Sequence, residues 1–145
     1  MAQTATNKFK HLLATGAFTA GTSDVRMGLL KTCANVATSA PDINFITDME
    51  AHADFAELTG ASGYARVALT SVTSTEDDAN DRDNIDSADV AFGALGAGGT
   101  IVGAWIYKFV TNDTDSPIIA IYDLTSTPTN GGTVTVTVTD FMRIL

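Results

Sequence analysis

The feature that most constrains the fold is a succession of short strand-like segments between Gly63 and Asp123. These segments are rich in valine, isoleucine, threonine and aromatic residues, and glycine, asparagine, aspartate and proline separate them. Seven or eight short strands with little helix are typical of β-sandwiches. The sequence therefore predicts an all-β domain, a jelly-roll or immunoglobulin-like β-sandwich with a short N-terminal helix or arm.

The strands are predicted from alternation and from their flanking turn residues. Residues 100–110 are apolar on both faces, as expected of a central strand or of one that packs against a partner. Residues 133–139 alternate strictly between threonine and valine, with Val134, Val136 and Val138 on one face. The predicted strands are residues 24–31, 64–72, 85–92, 100–110, 117–124, 133–139 and 141–145.

A helix is predicted for residues 6–15, capped by Thr4 or Thr6 and ended by Gly16. Its apolar stripe must dock on a partner or on the rest of the chain, because so short a helix is marginal alone. We therefore divide the chain into an arm, residues 1–16, and a single sandwich domain, residues 17–145. We predict partner contacts at the stripe and its flanking lysines, namely Lys8, Phe9, Lys10, Leu12 and Leu13.

The pattern is weakest between residues 32 and 58. Pro41 interrupts it, residues 43–46 suggest a short strand, and residues 48–58 suggest one or two helical turns with Asp48 as N-cap.

Composition limits the classes of function. The 145 residues suit one domain, only 17% of them are charged, and the net charge is −9. A chain without clustered lysine or arginine is not expected to bind nucleic acid. The N-terminus lacks the apolar region of a signal peptide, and no apolar run is long enough to span a bilayer, so we expect no membrane association. Cys33 is the only cysteine, which rules out an intramolecular disulfide.

The negative charge is concentrated in residues 76–89, which hold seven acidic residues and one basic residue, Arg82. We predict that residues 75–84 form a loop, and that the acidic stretch 75–89 is mobile, solvated and held at its base by Arg82. Calcium binding is the alternative, since hard cations take several carboxylate oxygens, but the spacing does not fit an EF-hand.

Catalytic patterns are weak. His11 and His52 lie far apart, no nucleophile elbow is present, and the glycines at 93, 96, 98 and 99 do not form a phosphate-binding loop. One cysteine and two scattered histidines do not make a zinc site. We predict no enzymatic activity and no cofactor.

Several short matches taken together resemble the small structural proteins of tailed bacteriophages. They are the segment Thr-Ala-Thr-Asn-Lys-Phe-Lys-His-Leu-Leu-Ala-Thr-Gly at residues 4–16, Gly63-Tyr64, the acidic residues 77–82, Asp-Val-Ala-Phe at 89–92 and Pro-Ile-Ile-Ala-Ile-Tyr-Asp at 117–123.

The resemblance implies a non-enzymatic decoration, or cement, protein that binds the major capsid protein and bridges its subunits on the capsid exterior. It implies assembly in the host cytoplasm and a homo-oligomer, often a trimer. We place the oligomer interface on the strand that is apolar on both faces, at Trp105, Tyr107 and Phe109. The alternative is a tail or baseplate adaptor, or a receptor-binding tail component.

Overall fold

The computed structural model describes residues 3–144 and confirms the predicted all-β class and the antiparallel sandwich. The helical elements are short: α1 (Asn7–Ala14), α2 (Val36–Ser39), a 3₁₀ turn (Ala40–Asp42) and α3 (Ile46–Ala51). The strands are β1 (Gln3–Ala5), β2 (Val25–Cys33), β3 (Phe55–Glu57), β4 (Val67–Ala68), β5 (Thr73–Asp77), β6 (Arg82–Asp86), β7 (Val90–Ala94), β8 (Thr100–Lys108), β9 (Ile118–Pro128), β10 (Thr133–Val136) and β11 (Met142–Ile144). The finer jelly-roll or immunoglobulin-like topology stays a prediction.

Six of the strands form one antiparallel sheet. They lie in the order β1, β9, β8, β2 and β3, and β4 also pairs with β2. Two smaller antiparallel sheets complete the structure, one made of β7 and β10 and the other of β5, β6 and β11. The three longest strands, β2, β8 and β9, are central because their alternating apolar residues can be buried on both sides.

Each face of the large sheet has its own core. On one face, residues such as Met27, Ala104 and Ile106 pack with Ile85 and Phe92 of the small sheets, and we call this the strand-side core. On the other face, Trp105, Tyr107 and Ile121 pack with Ile46 and Met49 of α3 and with residues of α2 and the 3₁₀ turn, and we call this the helix-side core. Consecutive residues of β8 therefore enter different cores.

The N-terminal helix is confirmed, with Thr6 as its N-cap. The Thr6 hydroxyl accepts a hydrogen bond from the Phe9 amide at 3.0 Å and donates one to the Ile118 carbonyl at 2.5 Å. At the other end Gly16 has a φ of +67°, and the amides of Gly16 and Ala17 donate to the carbonyls of Leu13 and Leu12. This is a Schellman ending, which favours glycine because a side chain is strained at positive φ.

The predicted elements between residues 32 and 58 are wrong in detail. Residues 43–46 form no regular strand, since only Phe45 makes an isolated bridge, to Pro117. The helix begins at Ile46, and Asp48 is not its N-cap. Instead the Asp48 carboxylate accepts hydrogen bonds from the amides of Asn44 and Phe45 at 3.2 and 2.9 Å. Ile43, Ile46 and Met49 are buried, so these short helices cover one face of the large sheet.

The structure of the acidic segment also differs from the prediction. Residues 75–84 are not a loop: β5 and β6 form an antiparallel hairpin in which Asp77 lies opposite Arg82. Arg82 Nε donates to Asp77 Oδ2 at 2.8 Å, next to the turn and not at the base of the segment.

The predicted strand 85–92 is divided between β6 and β7, and the predicted strand 64–72 shortens to β4. The predicted strand 133–139 ends at Val136. The predicted strand 141–145 is observed as β11, Met142–Ile144, and Leu145 lies outside the described residues.

Candidate functional site

The predicted partner-binding residues on α1 fall into two groups. Phe9 is buried in the strand-side core, with its ring 5.1 Å from that of Phe18, and Leu12 and Leu13 are partly buried against the same core. The apolar stripe of the helix therefore docks on its own chain. Lys8 is only partly buried and Lys10 is exposed, so both basic side chains reach solvent, Lys10 to the greater extent.

The lysines differ from the arginines in their surroundings. Each of the four arginines forms an ion pair with a carboxylate: Arg26 with Asp24, Arg66 with three acidic residues, Arg82 with Asp77 and Arg143 with Asp140. Within residues 3–144, none of the described ion pairs involves a lysine. The Lys8 ammonium lies 4.9 Å from the centroid of the Phe45 ring. Lys8 and Lys10 thus place two cations outside these ion pairs on one short helix of an acidic protein, on either side of the buried Phe9.

The proposed oligomer residues lie mostly inside the chain. Trp105 and Tyr107 are 0% and 2% exposed, and their rings stack on each other 4.7 Å apart in the helix-side core. The second apolar face of β8 is therefore explained by the chain's own helices, and the reason for predicting an interface at these two residues does not hold. Phe109 is partly buried, and the guanidinium of Arg26 lies 3.7 Å from its ring centroid.

The densest group of polar side chains surrounds Arg66. Its Nε and Nη2 donate to the two carboxylate oxygens of Glu57 at 2.8 and 2.7 Å, a bidentate pair. Nη1 donates to Asp113 at 2.6 Å, and Nη2 also donates to Glu50 at 3.2 Å. The guanidinium carbon lies 4.9 Å from the centroid of the Trp105 ring, so the cation also contacts an aromatic face. We call these four charged residues the Arg66 cluster.

The Arg66 cluster is anchored to the sheet through Tyr64. The Tyr64 hydroxyl donates to Glu57 at 2.7 Å and accepts a hydrogen bond from the Leu29 amide at 3.0 Å. Glu57 itself is only 8% exposed. The cluster therefore joins α3, β3, the segment before β4 and the turn between β8 and β9.

The electrostatics of the cluster follow from its closed geometry. Burial alone would lower the pKa of Arg66. The hydrogen bonds to Glu57 and Asp113 outweigh burial, so the pKa lies above its ordinary value. Burial and the nearby charge of Asp113 raise the pKa of Glu50 above its ordinary value. Burial and the Glu57 carboxylate also raise the pKa of Tyr64. The described contacts engage all three carboxylates with one cation, which suits a structural clamp.

His52 lies in a second polar group, with Ser39 and Asp54. The Ser39 hydroxyl donates to Asp54 at 2.6 Å, while His52 Nδ1 accepts from the Asp54 amide at 3.3 Å. A nucleophile activated by histidine would need the serine hydroxyl to reach the imidazole, whereas this serine donates to the carboxylate. His11, the other histidine, is exposed on α1 and distant from His52 in sequence.

The sequence did not reveal the Arg66 cluster. Its members come from positions 50, 57, 66 and 113, and no local pattern connects them. One available signal was Arg66 itself, a cation two residues after Tyr64 in a segment predicted as strand.

Among residues 3–144, no three histidine, cysteine, aspartate or glutamate side chains are arranged to hold a metal ion. None of the helices in this part of the chain combines the length and apolar composition needed to cross a membrane. Comparison with protein-family models, curated proteins and solved structures found no match to this chain.

Proposed function

We propose that the chain is a non-enzymatic structural protein of a tailed-phage particle, a decoration protein that binds the capsid exterior and bridges major capsid protein subunits. The resemblance of its sequence motifs to such proteins supports this function. So does the way the chain uses its charged groups, because its largest cluster holds four parts of the fold together. Such a framework suits a protein that must stay rigid on a particle.

The observation that carries the proposal is the pair of lysines on α1. The chain has a net charge of −9, yet Lys8 and Lys10 lie on one short helix and take part in none of the ion pairs described for residues 3–144. Complementary charge orients a protein on its partner and speeds association. We infer that the exposed part of α1, which includes Lys10, contacts an acidic patch on the capsid surface, and we call it the contact face.

The same proposal includes assembly into a homo-oligomer, and the subunit number that we propose is three. The low proportion of charged residues, 17%, supports it because charge is depleted at the centre of interfaces. Sedimentation of the free chain and of the chain released from particles tests this part. A 15.1 kDa species in both samples would contradict it.

Cryo-electron microscopy of particles from the phage that encodes the chain tests the location. The proposal expects density for this fold on the outer capsid surface, spanning adjacent capsid subunits. Density on the tail or baseplate would support the alternative function, an adaptor or receptor-binding component. Particles without the chain would contradict both.

A charge-reversal pair tests the contact face. Lys10→Glu should weaken binding to particles assembled without the chain by roughly tenfold, because it places like charges together. Lys31→Glu is the matched control, since Lys31 is also exposed but lies on the large sheet. Equal binding of the two variants in a co-sedimentation assay would exclude α1 as the contact face.

A further inference from the structure

A half-open cavity of about 180 Å³ lies at the edge of the strand-side core. The large sheet forms one wall through residues that include Ala104, Ile106 and Tyr122. Residues 136–141, which connect β10 to β11, form the opposite wall. Buried side chains are normally packed closely, so an opening of this size beside the buried residues Ala104 and Ile106 needs an explanation.

The cavity has two origins in the sequence. Ala104 lies opposite Tyr122 in the β8–β9 pair. Its side chain is much smaller than those of Ile106 and Tyr122 on the same face of the sheet. In addition, β10 ends at Val136, and Asp140 has a φ of +50°, so the chain turns before β11 begins at Met142. The connecting segment therefore spans the sheet without filling the space above Ala104.

Hydrogen bonds keep the opposite wall in place. The Val138 amide donates to Asp89 at 2.9 Å, and the Asp140 amide donates to Asp86 at 3.1 Å. The Tyr122 hydroxyl donates to the carbonyl of Phe141. A cavity closes only as far as its walls can relax, and these contacts oppose relaxation.

The walls determine what the cavity can accept. Val136, Val138 and Leu124 present apolar side chains, and the Tyr122 hydroxyl is already bonded. The one acidic lining residue, Asp140, accepts a hydrogen bond from Arg143 at 3.2 Å. An engineered apolar cavity of about 150 Å³ in another protein stays dry and binds benzene. Thr137 and Thr139 are exposed, so the cavity borders solvent on their side.

We propose that this cavity binds one small, uncharged, apolar molecule with the size of an aromatic ring. Burial of its apolar surface drives binding, and the walls need little rearrangement because they are already held apart. This site is independent of the contact face on α1.

Benzene is the probe for the test. Adding it to the isotope-labelled chain should shift the methyl NMR signals of Met27, Ala104, Ile106 and Leu124. At about ten times its Kd, benzene should raise the Tm by roughly 4 °C, because a ligand that binds only the folded state stabilises it. Unchanged methyl signals up to the solubility limit of benzene would overturn the proposal.

Two variants separate cavity binding from nonspecific binding. Ala104→Leu fills the space and should abolish the benzene-induced rise in Tm; if that variant does not fold, Ala104→Val should weaken the rise. Ala120→Val enlarges another buried alanine of the same core that does not line the cavity, and it should keep the benzene response. An equal benzene response in the Ala104 variant and the wild type would also overturn the proposal.

Discussion

Ala104 and Trp105 are consecutive residues of β8, yet they enter two cores that are packed in different ways. On the helix side, Trp105 stacks on Tyr107 and the indole lies so close to Gly28 that a Cβ there would be 2.4 Å from its Nε1. On the strand side, Ala104 borders a cavity of about 180 Å³. One strand can therefore have a tightly filled face and a loosely filled one.

The tight face depends on a glycine and an ion cluster. Gly28 leaves room for the indole, and Arg66 closes the region from another side. The loose face is bordered by aliphatic residues and a hydrogen-bonded connecting segment. Substitutions that add volume should therefore have opposite effects on the two faces.

The largest expected effect is that of Gly28→Ala. The added methyl group would lie 2.4 to 2.8 Å from three atoms of the Trp105 indole, which is fully buried and has little room to move. We expect a loss of about 3 kcal/mol in the free energy of unfolding, measured by urea denaturation. Gly93→Ala on β7 is the matched control, because nothing lies within 4 Å of its added methyl group. A similar loss in both variants would show that strand glycines matter for another reason.

The next effect is that of Glu57→Gln on the ion cluster. The substitution removes the charge from the bidentate partner of Arg66 while keeping the shape of the side chain. We expect a loss of about 2 kcal/mol, because hydrogen bonds to charged groups contribute more than neutral ones. Arg143→Gln, which breaks the exposed pair with Asp140, should cost less than about 0.5 kcal/mol. Equal losses would contradict the structural importance of the Arg66 cluster.

A smaller effect concerns the pH dependence at Glu50. Burial and the neighbouring Asp113 raise its folded-state pKa above the ordinary value of 4.5. The stability linked to this group is therefore fully present below pH 4.5 and is lost as the pH rises through the raised pKa. Glu50→Gln should stabilise the protein at pH 7 by less than about 0.5 kcal/mol, because water screens this 44% exposed side chain, and should have no effect near pH 4. If Glu50→Gln destabilises the protein at pH 7, the hydrogen bond between Glu50 and Arg66 outweighs the repulsion between Glu50 and Asp113.

The smallest effect is expected in the acidic hairpin, which contributes only Ile85 to the strand-side core and is otherwise largely outside it. Arg82→Gln removes the ion pair with Asp77 and should speed amide hydrogen exchange in β5 and β6 without changing exchange in β8. Added salt should stabilise the hairpin slightly by screening its carboxylates. EDTA should leave the Tm unchanged, and a fall that calcium reverses would make the hairpin a metal site.

The sequence predicted the regular parts of the fold well because their signals are local. The alternation of Val25, Met27 and Leu29 identified β2, and the spacing of Phe9, Leu12 and Leu13 identified α1. The acidic hairpin was missed because its charge suggested a solvated loop. In the structure Asp77 faces Arg82 across the strand pair, which reduces that repulsion.

The site could be predicted only in part, since its contacts join distant positions. Alternation showed that both faces of β8 are apolar, but it could not show whether the chain itself or a partner covers Trp105. The answer depends on residues 36–51, whose weak pattern concealed the short helices that pack there. The cavity beside Ala104 likewise depends on the path of residues 136–141, which strict alternation had suggested would stay a strand.

The most direct test compares the two faces of the large sheet in one experiment. Gly28→Ala and Ala104→Val both add methyl groups to buried positions of neighbouring strands, and urea denaturation gives the change in the free energy of unfolding for each. We expect a loss of about 3 kcal/mol for Gly28→Ala and a gain of about 0.5 to 1 kcal/mol for Ala104→Val. A loss above about 1 kcal/mol for Ala104→Val would show that the strand-side core has no space to fill, contrary to the loose packing that we infer beside Ala104.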